Sequence, residues 1–491
     1  MKSPRAIVFI TFDCLRPDHL GCYGYKEVDT PNIDKIASDG VVFRQAISQA
    51  PNTWVSHASI FTGCNPYKHG VRNPFTKLNE KISTIAEVLS KKGFATAGFP
   101  SHTLLGPILG FDRGFDFYDL ELEDFQYFSN VENNKYYRKW DNIWDKAKMW
   151  IKKQNNPFFI WFHYMGIHEM PLESLSLPPE FKKKYSPLGQ YYDGKVSFAD
   201  MECMEPILSF FKNNEMYDDS IFVLFSDHGE RFIDTTYPGG GAKHNEGLFE
   251  EVVRISLILC APYFIKGEKH VVDQVRSIDI MPTVLGLIDS SIPTNIDGIN
   301  LIPHYILPKV KKNKDEILYA YMENLPYNEF GLRTPEWKLI LKRKDINKLP
   351  RKRDFFDFRK YKPYYILRKI KGFAKEILKD TNGTRKDFSK GFLFLKLFLK
   401  NANKISTSFL SGRFYNWNKH KLWKSYDVKS LYNLKNDPDE RYNVYLIYPD
   451  VVNKLRSQFV YLIKNSFSEG KVINGEEEKK IEKKLKDLGY Y

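Results

Sequence analysis

Four short apolar runs constrain this chain most. AIVFITF at 6–12, PFFIWF at 157–162, SIFVLF at 220–225 and ISLILC at 255–260 are each of strand length, rich in β-branched and aromatic residues, and nearly free of polar alternation. A strand that is apolar on both faces needs cover on both faces. Helix-like amphipathic stretches at 142–153 and 196–211 fall between the runs and supply that cover. Strands and helices alternating in this way predict an α/β fold built on a buried sheet.

In such sheets ligands collect beyond the carboxyl ends of the strands. The segments found there are TFDCLRPDHLGCYGY after the first run, HYMGIHEMP after the second and SDHGE after the third. They bring Asp13, His163, His168, Asp227 and His228 toward one sheet edge, and His244 follows in the glycine-rich stretch YPGGGAKHNEG. A single Asp at a strand end more often caps a helix than binds a metal. As a set, two carboxylates and an imidazole suit a hard or borderline divalent cation, with a hydroxyl or a substrate oxygen completing its shell. The stretch APNTWVSHASIFTG at 50–63 predicts a helix that begins at Asn52 or Thr53. The free N–H groups of a first helical turn favour an anion, so the Thr53 hydroxyl either caps the helix or faces bound negative charge.

The 491 residues suffice for one large domain and a smaller one. The formal charge of +14 is local: residues 341–425 hold 25 Lys and Arg against 6 Asp and Glu, whereas the rest of the chain holds 49 against 54. That segment interleaves Leu and aromatic residues with its cations. Two readings stand open, contact with an anionic membrane surface or polyanion, and an insertion whose apolar face packs on its own domain. Nucleic-acid binding is not expected, because no zinc-finger spacing, RNP-like motif or recognition-helix signal accompanies the charge. Five scattered cysteines without CxxC spacing argue against a disulfide framework and for a reducing compartment. The first apolar run leads straight into TFD and reads as a core strand rather than a secretion signal, and no run approaches the roughly 18 residues of a membrane span. The expectation is a cytoplasmic protein, peripheral at the membrane inner face if the basic segment touches lipid.

Ten ordered motifs carry a family likeness: FDCLRPDHLGCYGY, TPNIDKIASDGVVF, TWVSHASIFTG, NPYKHGV, GFDRGFDFYD, FHYMGIHEMP, FSDHGE, KHNEGLFEEVVRISLIL, DIMPTVLGLI and SLYNLKNDPDERYNV. Over most of 4–302, and again around 317–342 and 430–444, the chain resembles the sulfatase-like branch of the alkaline phosphatase superfamily. The resemblance implies a doubly wound α/β domain with a mostly parallel central sheet and helices on both faces, placed here at 1–305. A smaller α+β C-terminal domain follows at 306–491, with the basic insertion at about 341–425. The resemblance also implies that Thr53 stands at the nucleophile position and that Asp13, Asp227 and His228, with Thr53, hold one divalent metal ion. His168 and His244 align with positions that bind the anionic group and assist the leaving oxygen. Lys243 adds positive charge, His57 and His163 are further substrate-binding candidates, and Ser56 and Glu169 are expected around them.

The departures bear on the chemistry. Sulfatases carry Cys or Ser in a CxPSR-type motif that is converted to formylglycine; here Thr53, Val55 and His57 stand where Cys or Ser, Pro and Arg would be. Threonine cannot yield that aldehyde. Cys14 replaces the family's frequent second Asp, and GFPSHTLLG at 98–106 stands where a GKWHLG-type sulfate-binding segment is expected. His228, in place of the Asn of calcium-type sulfatases, shifts the expected ion from Ca toward Mn, Zn or Mg. The expected function is a metal-dependent hydrolase acting through a Thr nucleophile on small-molecule, glycan-linked or lipid-linked anionic esters, sulfuric or phosphoric, phosphonates included. The alternatives are a transferase that moves a phospho-head-group to a glycan or lipid, and a non-catalytic binder of polyanions or membrane surfaces.

Overall fold

The computed structural model describes residues 3–72, 76–120, 140–168, 178–185, 191–232, 247–307, 318–343 and 426–464. Nine strands form the main sheet: β1 (Ala6–Phe12), β2 (Gly40–Ile47), β3 (Ala95–Phe99), β4 (Phe117–Tyr118), β5 (Phe158–Tyr164), β6 (Ser220–Ser226), β7 (Arg254–Ile255), β8 (Leu257–Cys260) and β9 (Lys269–Arg276). Their order is β4-β3-β5-β1-β6-β8-β2-β7, with β9 paired on β2. The sheet is mostly parallel; β7 and β8 run antiparallel to their neighbours. The apolar run at 255–260 is thus two short strands. Between them the Ser256 amide donates to Ser226 Oγ at 3.0 Å.

β1, β5 and β6 are buried along their whole length, as continuous apolar runs require. Side chains alternate between two cores. Ile7, Phe9, Phe159, Trp161, Ile221, Val223 and Phe225 pack with Trp54, Val55, Ala58 and Phe61 of the Thr53–Thr62 helix. Ala6, Val8, Ile10 and Phe12 face the other way, toward Ile33 and Ile36 of the Pro31–Ser38 helix and Trp140, Ile143 and Trp144 of the Trp140–Ile151 helix. Helices therefore cover both faces.

The stretch at 196–211 is not one regular α-helix. Helical turns at Tyr191–Ala199 and Glu205–Asn213 are separated by a π turn at Asp200–Met204. Pro206 has no N–H to close the regular bond to residue 202, and the wider turn absorbs that loss. The turn also aims Asp200 across the fold, where Oδ1 accepts from the Ile33 amide at 2.7 Å and Oδ2 from the Asn32 amide at 3.1 Å. Asp200 thereby caps the start of the Pro31–Ser38 helix from a distant element.

A second sheet begins beyond the Ile302–Ile306 turn, whose Ile306 packs on the first core. Its strands β10 (Ala320–Asn324), β11 (Glu329–Arg333), β12 (Trp337–Arg343) and β13 (Tyr426–Asn433) are antiparallel in sequence order. The Pro449–Lys464 helix covers them through Leu455, Phe459 and Ile463. Arg343 is the register partner of Tyr426, so residues 344–425, which hold nearly all of the basic segment and lie outside the described residues, are inserted between two paired strands. Buried and half-buried charges tie the second sheet to its surroundings: Arg333 grips Glu250 of the Glu250–Val253 helix at 2.9 Å, the fully buried Lys338 reaches both Glu250 and Glu440, and Arg72 clamps Glu323 at 2.8 and 2.9 Å. Among the described residues no helix is long and apolar enough to cross a membrane.

Candidate active site

Strand register brings the carboxylates together. Phe12 lies opposite Ser226 on β6, and Thr11 lies opposite His163 on β5. Asp13 and Asp227, the next residues out of their strands, therefore leave the sheet side by side. By the two-residue period they continue the face of Phe9 and Phe225, which the Thr53–Thr62 helix covers. His163 follows Trp161 on that same face.

Thr53 is the first helical residue, and Asn52 before it has the extended backbone of an N-cap without a capping side-chain bond. The Thr53 hydroxyl turns toward the strand ends instead: Oγ1 donates to Asp13 Oδ2 at 3.3 Å and lies 3.3 Å from His228 Nε2. Ser56 Oγ donates to the Asp227 carbonyl at 2.7 Å. His57 Nδ1 donates to the Thr53 carbonyl at 2.7 Å, while its Nε2 faces Thr11 Oγ1 at 3.3 Å. Both ring nitrogens of His57 are thus engaged within the scaffold.

The tautomer of His228 follows from its neighbours. Nδ1 lies 2.9 Å from the Gly229 carbonyl, which can only accept, so Nδ1 carries the proton and Nε2 is a bare donor atom. That Nε2 faces Thr53 Oγ1, Asp227 Oδ2 at 3.4 Å and Asp13 Oδ1 at 4.0 Å. Asp227 Oδ1 accepts from the His228 amide at 2.9 Å and the Cys14 amide at 3.3 Å. Asp13 Oδ1 and Asp227 Oδ2 are left buried with no hydrogen-bond partner among the described residues. Buried, uncompensated carboxylate oxygens are costly, and a cation between them removes the cost.

The environment separates the two carboxyl groups. Burial pushes Asp227 up and the Asp13 charge pushes it further, to about 6. Burial also acts to raise Asp13, but His163 at 3.3 Å, with His168 and His228 nearby, outweighs it and holds Asp13 well below the usual carboxylate range. Burial, with His163 close by, keeps His57 well below its ordinary value and therefore neutral.

Among the described residues, three overlapping groups could hold a metal ion: Asp13 with Asp227 and His228, His57 with His163 and Asp227, and Asp13 with Cys14 and His168, each with ligand atoms within 4.8 Å of one another. The first has the donor set that the sequence suggests. His168 is buried on the segment after β5. Lys243, His244 and Glu169 lie outside the described residues. The structure adds Thr11, one strand period before Asp13, whose Oγ1 meets His57 Nε2. It also adds Tyr192, whose hydroxyl donates to the Cys14 carbonyl at 2.6 Å across 178 residues of chain, a contact with no local sequence signal. An open cavity of about 600 Å³ lined by Lys35, Lys212, Tyr217 and Lys266 shares no residue with this cluster.

Comparison with known proteins gives the cluster its context. The model of the Sulfatase family matches residues 5–290, and that of the N-sulphoglucosamine sulphohydrolase C-terminal region matches residues 244–362. An uncharacterized sulfatase of Escherichia coli (strain K12), YidJ, is 23% identical over 368 residues, covering 62% of this chain and 71% of its own. An arylsulfatase of Clostridium perfringens (strain 13 / Type A) is 23% identical over 383 residues, covering 60% of this chain and 77% of its own. One similar solved structure, in complex with its substrate D-glucosamine-2-N,6-O-disulfate, has a TM-score of 0.62 at 17% identity and covers 94% of this chain and 98% of its own. The phosphonate monoester hydrolase of Silicibacter pomeroyi has a TM-score of 0.53 at 18% identity and covers 69% of this chain and 87% of its own. At these identities the solved structures show the fold, whereas the family match spans more than half of the sequence. This chain belongs to the sulfatase family of ester hydrolases.

Proposed function

We propose that this chain hydrolyses anionic esters with Thr53 as the nucleophile, in dependence on one divalent ion held by Asp13, Asp227, His228 and Thr53, and that it favours phosphodiesters or phosphonate monoesters over sulfate esters. The observation that carries the reading is the Thr53 hydroxyl, set against Asp13 Oδ2 and His228 Nε2; the sequence resemblance aligns it with the formylglycine position. The oxygens of Asp13 and Asp227 that lack a hydrogen-bond partner among the described residues, with the unprotonated Nε2 of His228 beside them, fit such an ion. Manganese, zinc or magnesium suits that mixed set better than calcium does. When bound, the ion neutralises the carboxylates, lowers the pKa of the Thr53 hydroxyl and polarises the ester.

The chain's own residues do the rest. Asp13 Oδ2 accepts the hydroxyl hydrogen and aims the oxygen lone pair outward. Thr53 Oγ1 gives up its proton to solvent and attacks the central atom, the bond to the leaving oxygen breaks and that oxygen takes up a proton, and water then cleaves the threonine ester and restores the Thr53 hydroxyl. The amino end of the Thr53–Thr62 helix presents its partial positive charge to the oxygens of the transferred group. His168 and His244 are assigned to the anion and the leaving oxygen, and Lys243 to added positive charge. The solved phosphonate monoester hydrolase with this fold supports the phosphorus chemistry, and the solved glucosamine disulfate complex supports a sugar-linked substrate.

The test is turnover of an aryl phosphonate monoester, an aryl phosphodiester and an aryl sulfate by wild type and Thr53→Ala, with each divalent ion in turn. Preference for the phosphorus esters, lost in a folded Thr53→Ala protein, is the expected result. Preference for aryl sulfate, or wild-type rates in the variant, contradicts the proposal.

A further inference from the structure

Cys14 follows Asp13 directly, and its φ of 62° places a residue with a Cβ in the left-handed region. Such conformations are disfavoured outside glycine and persist where the surroundings enforce them. The thiol is fully buried and reduced, and Sγ lies 3.6 Å from His228 Nδ1. Asp13, Cys14 and His168 each offer a ligand atom within 4.8 Å of the other two. Asp13 belongs equally to the group it forms with Asp227 and His228. A carboxylate has two oxygens and can serve two cations at once.

We infer that Asp13, Cys14 and His168 form a second cation position, adjoining the one formed by Asp13, Asp227 and His228, and that it takes a thiophilic ion, zinc foremost. Carboxylate, thiolate and imidazole are three protein donors of the kind that bind catalytic zinc, with a fourth position left for water or a substrate oxygen. Calcium and magnesium prefer an all-oxygen shell and would be poorly served by sulfur. The inference extends the metal-dependent reading above: the first ion belongs to that reading, and the second is new. His168 would then meet the anionic group through the ion it holds, and the leaving oxygen falls to His244.

The experiment is titration of metal-free, full-length protein with zinc and then with cadmium. Equivalents are counted by calorimetry and elemental analysis, and the ultraviolet thiolate-to-cadmium charge-transfer band is recorded. Two equivalents of zinc and a clear cadmium band are expected. Cys14→Ser should lose one equivalent and the band while keeping the other equivalent and the wild-type circular dichroism. Cys64→Ser, which removes a thiol outside the cluster, should keep both. His168→Ala should lose the same equivalent as Cys14→Ser, which keeps the question open to test if the serine variant fails to fold. A single equivalent in wild type, or a band that survives Cys14→Ser, overturns the second position and leaves the first standing. No equivalent at all overturns both.

Discussion

Ser56 Oγ donates to the backbone carbonyl of Asp227 at 2.7 Å, one helical turn along from Thr53. This one bond ties the helix that carries Thr53, the proposed nucleophile, to the strand end that carries a metal-ligand candidate, and Ser48 Oγ donates to Ser56 Oγ at 3.0 Å from behind. Ser56→Ala should cost about 1 kcal/mol of stability, the net worth of one buried hydrogen bond. Its effect on kcat should be larger, on the order of tenfold or more, because misplacement of reacting groups is felt steeply, with KM little changed. Steady-state kinetics alongside thermal melts checks this, and an unchanged kcat would remove Ser56 from the positioning of the site.

Removal of divalent ions should abolish turnover and lower the melting temperature, since Asp13 and Asp227 then face each other without a cation. Burial and the Asp13 charge hold Asp227 at about 6, so at pH 8 it is ionised and repelled. Asp227→Asn keeps an acceptor for the Cys14 and His228 amides and deletes that charge. In chelator at pH 8 the variant should melt higher than wild type; with the ion restored, wild type should melt higher. Calorimetric scans of the four samples decide it, and the same ranking in both conditions would contradict a cation between the two carboxylates.

His69 supplies a pH test away from the chemistry. It is fully buried, its Nδ1 accepts from the Val71 amide at 3.1 Å, and its Nε2 lies 3.0 Å from Ser59 Oγ. Burial, with Arg72 nearby, lowers it to about 3. A histidine lowered by folding is neutral in the native state, so its contribution is complete above the ordinary value of about 6.5 and is lost as pH falls toward 3. Between pH 7.5 and 5 this amounts to about 2 kcal/mol. His69→Gln should be less stable than wild type at pH 7.5, with a shallower fall in stability on acidification. Urea titrations at the two pH values measure the slope, and parallel slopes would rule His69 out as its source.

The insertion between Arg343 and Tyr426 should be separable from catalysis, because its two ends are register partners on adjacent strands. Replacing 344–425 with a short turn sequence should leave aryl-ester turnover within about twofold of wild type, given how weakly loop length affects stability. If the segment contacts an anionic membrane, one of the two readings its sequence leaves open, binding to vesicles rich in anionic lipid falls sharply at the same time. Vesicle co-sedimentation reads the second effect, and undiminished binding would exclude the segment as a membrane contact.

The parts of this site legible in the sequence are those that depend on strand ends. Asp13 and Asp227 stand one residue past apolar runs, so the period-two pattern and the parallel register suffice to put them together. Thr53 was ambiguous, since a hydroxyl at a helix start serves equally as a cap. The ambiguity ends with the direction of Oγ1, a rotamer that no sequence pattern encodes. The π turn at Asp200–Met204 was hidden because the amphipathic pattern continues through it, and only the absent N–H of Pro206 hints at the break. The thiol of Cys14 beside His228 was equally hidden, since it depends on a left-handed backbone at a residue that ordinarily avoids it.

Whether Thr53 is the nucleophile is decided by quenching wild-type enzyme in acid during steady turnover of an aryl phosphonate monoester and mapping the digested peptides by mass spectrometry. A phosphonyl ester on the peptide containing Thr53, absent from a Thr53→Ala protein that no longer turns over, is the expected result. An unmodified Thr53 during full turnover, with the alanine variant equally active, would contradict a threonine nucleophile.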